Sequence, residues 1–149
     1  MEIFAAAERF LAARMLSRRE LFEKLRRKFP DEPIKKIEKT LEKCDEFGFL
    51  DDRKFAEMFL KYERDRAPKS DFLMRQKLLQ KGISPEIIAE ILDENPLDER
   101  AVAQKIAAKK AKMFPPNLDP KKRKERLFRF LTGRGFSFSV ARAAIENLD

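Results

Sequence analysis

Histidine and tryptophan are absent from these 149 residues, tyrosine and cysteine occur once each, and there are only 4 glycines. The lack of histidine removes the usual imidazole base, the usual zinc ligand and every histidine-dependent triad, so much of enzymology is excluded from the start. Cys44 has no second cysteine for an intramolecular disulfide, which makes it filler on a helix face in a reduced, intracellular chain. No apolar run approaches the roughly 20 residues of a membrane span, and no signal-like apolar core opens the sequence. The expected location is the cytoplasm. β-Branched residues other than Ile are scarce, which disfavours sheets.

Charge and phenylalanine are abundant instead. Charged residues make up 40% of the chain and Phe accounts for 14 positions, while Lys, Glu, Leu and Ala are good helix formers. The expected class is therefore all-α. A compact chain of this length buries roughly two-thirds of its unfolded surface, so a real core is available. The formal net charge of +8 hides a polarisation: residues 100–134 hold 12 basic and 2 acidic residues, whereas residues 82–99 hold six acids and no base. So dense a basic block is an electrostatic footprint for polyanions, nucleic acid first and anionic lipid second. For any one Lys, a solvated helix face explains the charge equally well, and only clusters carry an argument.

The chain repeats itself at an offset of 53 residues. Leu21, Met74 and Leu127 fall in register, followed by Leu25, Leu78 and Leu131, by Lys28, Lys81 and Arg134, and by Ile34, Ile87 and Val140. Leu21, Leu25, Leu78, Leu131, Ile87 and Val140 are expected in the core. Asp31, Ser84 and Ser137 share a phase too, each a suitable N-cap. The second and third copies break at "KG" and "RG", with a Gly where helices commonly end in a left-handed residue. The first breaks at Phe29-Pro30, where proline stops the helix. Upstream of each pair lies a third amphipathic stretch, with apolar residues such as Phe55, Met58, Phe59 and Tyr62, or Val102, Ile106 and Met113. The expected organisation is three three-helix repeats, at 1–50, 51–96 and 97–149. Such arrays are usually elongated and curved, with a long binding surface.

Cap chemistry marks the joints. Ser17 through Glu20 has the form of a capping box, and Pro85 and Pro120 stand at first helical positions. The adjacent carboxylates of "GFLDDRKFAEMF" belong to the same punctuation: Asp51 caps a helix whose first turn holds Asp52, and Leu50 and Phe55 have staple spacing. A divalent metal is the poorer reading, with no third ligand nearby.

Four stretches, "ARMLSRRELFEKL" (13–25), "FGFLDDRKFAEMF" (47–59), "LLQKGISPEIIAEIL" (78–92) and "FLTGRGFSFSVARAAI" (130–145), resemble the RecX family in composition, order and spacing. The resemblance covers about residues 5–148. It implies an elongated, curved all-helical protein of three three-helix repeats. It also implies a partner: such proteins bind the filament of the RecA recombinase on DNA, lie in its helical groove, and restrain its ATPase, strand-exchange and co-protease activities. The chain departs from the family pattern at Phe29-Pro30 and at the proline-containing connector of residues 113–124.

The resemblance implies that a basic face of an elongated binder engages the phosphates on the groove floor. In the third repeat the candidate contacts are Lys105, Lys109 and Lys112, at helical spacing opposite Val102 and Ile106, and the run Lys121, Lys122, Arg123, Lys124 and Arg126. The first repeat offers Arg18, Arg19, Arg26, Arg27 and Lys28. Phe128, Phe130, Phe136 and Phe138 suit packing better than base stacking. No cofactor, metal or catalytic residue is expected, the protein is expected to be monomeric, and its DNA contacts are expected to be nonspecific. Two rivals stand beside this reading. A sequence-specific repressor needs a groove-reading helix, but "PIKKIEKTLEKC" and "SPEIIAEIL" are ordinary or acidic. A metal-dependent nuclease needs a folded carboxylate cluster.

Overall fold

The computed structural model describes residues 2–148. Among them lie nine α-helices and no strand: α1 (Glu2–Ala13), α2 (Arg18–Lys28), α3 (Ile34–Glu46), α4 (Asp52–Arg66), α5 (Asp71–Gln80), α6 (Pro85–Glu94), α7 (Glu99–Ala111), α8 (Pro120–Gly133) and α9 (Phe138–Glu146). None of these is long and apolar enough to cross a membrane.

Local chemistry starts most of them where the sequence indicates. The Ser17 hydroxyl accepts from the Glu20 N–H at 3.2 Å while the Glu20 carboxylate accepts from the Ser17 N–H at 3.1 Å, completing the capping box of α2. Ser84 and Ser137 accept from the N–H groups of Ile87 and Val140, and Asp51 from that of Lys54. Pro120 opens α8, where its missing N–H costs nothing.

The first repeat departs from the expected phase. Pro33, not Asp31, holds the N-cap position of α3, and no side chain caps that helix. Ile34 is 47% exposed, and its place in the core goes to Ile37. The physical reason is the proline-bounded connector, residues 29–33, which is longer than 81–84 or 134–137. It moves α3 so that buried Ile37, Thr40 and Leu41 match buried Ile88, Ile91 and Leu92 at an offset of 51 rather than 53. Of the expected core residues, Leu21, Leu25, Leu78 and Leu131 are fully buried, whereas Ile87 and Val140 are half-buried and their neighbours Ile88 and Ala141 face inward. On α4 the inner face is Phe55, Ala56 and Leu60; Met58 and Tyr62 point to solvent. Met113 lies past the end of α7 and is 73% exposed.

The chain divides into two compact units. One runs to Phe59 and includes Lys77–Ile91; the other takes Leu60–Gln76 and the chain from Leu92 onward. In the first, α1, α2 and α3 bury Ile3, Leu16, Leu21, Leu25, Ile37 and Cys44 together. In the second, α7, α8 and α9 bury Ala103, Ala107, Leu127, Leu131, Phe136 and Ala144.

Each unit contains the same joint, 53 residues apart. In the first unit the Ser17 hydroxyl donates to the Lys81 carbonyl at 2.6 Å, and Gly82 lies against Arg19, where an added Cβ would stand 2.5 Å from the Arg19 Cβ. In the second unit the Ser70 N–H donates to the Arg134 carbonyl at 3.0 Å, and Gly135 lies against Ser70 and Leu73. Gly82 and Gly135 also have φ of 83° and 88°, the left-handed region. A glycine in these breaks thus serves both the turn and the close approach of a capped helix start.

Candidate nucleic-acid interface

The basic block of the third repeat folds onto two neighbouring helices. Pro120 begins α8, so Lys121, Lys122 and Arg123 occupy its first turn and Lys124 opens the second, and the last residues of the expected 113–124 connector are helical. That turn contains no acid, and the Asp119 side chain makes no cap hydrogen bond. Cations at a helix N-terminus oppose the dipole, each at a cost of a few tenths to about 1 kcal/mol. An anion placed there meets both the side-chain charges and the orphan N–H groups. Lys121, Lys122, Lys124 and Arg126 are exposed and form no ion pair among the described residues. Arg123 differs: it is half-buried, and its Nη2 donates to the Ala111 carbonyl at 3.2 Å, closing the end of α7.

The stripe on α7 is divided between two cavities. Lys105 and Lys109 line one of about 640 Å³, together with Lys110, Arg64, Arg66 and Arg134. Lys112, at the C-cap of α7, faces another of about 470 Å³ beside Arg123 and Lys124. In the larger cavity Lys110 Nζ lies 5.2 Å and Arg134 Cζ 4.8 Å from the centre of the Phe130 ring, a double cation–π contact. Arg134 Nη1 donates to the Pro68 carbonyl at 3.0 Å, and Arg64 donates to the Asn95 carbonyl at 2.8 Å and to Asp71 at 3.1 Å. These arginines are held in place by the bonds they make.

The first-repeat cluster does not stay together. Arg18 is ion-paired with Asp45, and its N–H donates to Asp52 at 2.9 Å. Arg19 lies against Gly82, and its Nη1 donates to the Leu79 carbonyl at 3.4 Å. Both line a cavity shared with Glu38, Glu42 and Asp52, whose charges offset theirs. Arg26 is half-buried, while Arg27 and Lys28 are exposed without ion pairs among the described residues. Asp52 thus does more than begin α4, since it also caps α2. Burial pushes its carboxyl above the usual range, aided by Asp45 and Asp51 and opposed by the Arg18 N–H.

Of the aromatics, Phe136 is buried and Phe128 packs on Phe138 at 5.3 Å, although Phe138 remains 63% exposed. Arg64, Arg66, Lys110 and Arg134 were not singled out by their spacing. They come from segments around 64–68, 105–110 and 130–134 that only the fold brings to one cavity. The available signal was the repeat itself, which sets Arg134 in phase with Lys81.

Three-helix units in series, with unpaired cations gathered on the third, define a helical repeat protein with a cationic surface. The first, second and third three-helix domains of RecX match residues 4–44, 51–92 and 98–145. A regulatory protein RecX from Chlorobium phaeobacteroides is 39% identical over 97% of this chain and 92% of its own length. One from Lactococcus lactis is 31% identical over 76% of this chain; it is longer, and only 43% of it is covered. A solved structure of a regulatory protein RecX superposes with a TM-score of 0.78 at 25% identity, covering 97% of this chain and 70% of that one. The chain belongs to the RecX family of regulatory proteins.

Proposed function

We propose that this chain binds the filament formed by the RecA recombinase on DNA, lies in its helical groove, and restrains ATP hydrolysis, strand exchange and co-protease activity. The observation that carries the reading is the set of α7 and α8 cations left without acidic partners, in a chain whose family is regulatory. Lys105, Lys109, Lys121, Lys122, Lys124 and Arg126 are the principal phosphate contacts, with Lys112, Arg27 and Lys28 secondary. Arg18, Arg19 and Arg123 act chiefly in holding the fold, and Arg26, half-buried, is a lesser contact. The mechanism is without catalysis: occupying the groove favours one filament state, blocks a second DNA, or hinders subunit addition. The acting species is a cytoplasmic monomer of three repeats, 1–50, 51–96 and 97–149.

The test is single-strand-dependent ATP hydrolysis by the cognate RecA, with this protein titrated well below the RecA concentration and with DNA in excess of what it coats. Strong inhibition below stoichiometry is expected, because one bound molecule affects a polymer. Inhibition only on saturating the DNA would reduce the chain to a basic nucleic-acid binder.

A further inference from the structure

The larger cavity in the second unit has a composition that phosphate contacts alone do not explain. Its cationic side carries Lys105 and Lys109, one turn apart on α7 and without ion pairs among the described residues, and Arg64 and Arg134, fixed by carbonyl and carboxylate bonds. Asp65 is the acid among the lining residues. Much of the rest of the lining is apolar: Leu97, Val102, Ile106, Met113 and Phe130, with Val102 and Ile106 on the same helix as the two lysines. A patch built only to follow a phosphate backbone has no use for such a lining. The cavity's 640 Å³ lies within the range of about 300–1,000 Å³ typical of small-ligand sites. By contrast, the cleft between α8 and α9, about 500 Å³, sets Glu125 and Glu146 beside Lys124, Arg129 and Arg142, so most of its positive charge is offset.

We propose that this cavity binds one nucleotide, with the planar base against its apolar lining at Met113 and its phosphates on Lys105 and Lys109. The chemistry suits either an unstacked nucleotide within a single strand or a free nucleotide. The inference rests on the proposed function only in taking DNA as the natural source. A base in a duplex is stacked and paired, so the site selects single strands. Stacking or apolar contact on a base adds roughly a tenfold preference beyond the phosphate attraction.

The test compares an oligothymidylate with an abasic strand of equal length and charge, by anisotropy on the unmodified chain at matched salt. About tenfold tighter binding of the strand that carries bases is expected; this preference shrinks in Met113→Ala, which removes apolar surface but no charge, whereas Lys105→Ala/Lys109→Ala weakens both strands. Equal affinities overturn the proposal. Because the chain has no tryptophan, Met113→Trp at this exposed position provides a unique reporter. Its emission is expected to be quenched by oligothymidylate, and ATP in place of the strand identifies free nucleotide as the source if it quenches at lower concentration. A base preference without quenching places the base elsewhere and overturns the proposal, as does equal quenching by polyglutamate. RecA inhibition distinguishes this inference from the proposed function: inhibition with equal strand affinities defeats only the cavity, and base preference without inhibition defeats only the filament reading.

Discussion

Gly135 and Gly133 stand two residues apart and make opposite predictions. A Cβ at Gly135 meets Ser70 and Leu73 and must also adopt φ of 88°, whereas a Cβ at Gly133, the last residue of α8, meets nothing. Gly135→Ala is expected to lower stability by about 1–3 kcal/mol, and Gly133→Ala to raise it by about 0.5 kcal/mol through helix propensity. Urea midpoints for the two variants check this; a tolerated Gly135→Ala would mean that the joint yields. Glu63 makes a second residue-scale prediction. Burial pushes its carboxyl up, but bonds from Lys69 at 2.7 Å and Arg66 at 3.0 Å prevail, and the net shift is downward. A carboxyl held lower in the folded state than in the unfolded state gives stability at neutral pH, which is lost as pH falls through the folded value. Urea unfolding from pH 7 down through the acid range is expected to show the parent chain's advantage over Glu63→Gln shrinking steadily. A pH-independent difference would remove the ion pair as its source.

At the scale of elements, α8 sets stability against binding. Its first turn is a cluster of cations at the positive end of the dipole. Lys121→Glu and Lys122→Glu are expected to stabilise the helix by about 0.3–1 kcal/mol each, seen as a rise in Tm, while weakening single-strand binding. Variants that bind as tightly as the parent would take this turn out of the interface. The elements were largely legible from the residues. Leucine phase and the serine caps placed α2, α5, α6, α8 and α9, because helix starts follow local chemistry. The α3 phase was not legible: Asp31 is a good cap by type, but how a connector bounded by Pro30 and Pro33 advances the helix depends on packing. The gathering of Arg64, Arg66 and Arg134 around Lys105 and Lys109 was hidden for the same reason, since charge spacing along one helix does not say which other segments reach it. Arg18 and Arg19 looked like surface charge, yet one pairs with Asp45 and the other covers a glycine.

For the whole molecule, a net charge of +8 favours nonspecific attraction to nucleic acid, so DNA binding by itself distinguishes little. The salt dependence separates the alternatives. Contacts to phosphates release counterions, and log affinity for a single strand falls by about 0.7 per neutralised phosphate for each decade of salt. If the chain acts only through its cations, binding to bare single strands and inhibition of the filament lose strength in parallel between roughly 50 and 200 mM salt. A regulator that also contacts recombinase protein keeps an apolar, salt-insensitive share of its binding energy. The expected result is therefore two different slopes: steep for the bare strand, and shallower for half-maximal inhibition of ATP hydrolysis. Lys121→Glu with Lys122→Glu should flatten both by a similar amount, because the same phosphates are released in each. Coincident slopes in the parent chain would mean that the filament is recognised as a polyanion alone, and the groove-binding reading would lose its protein partner.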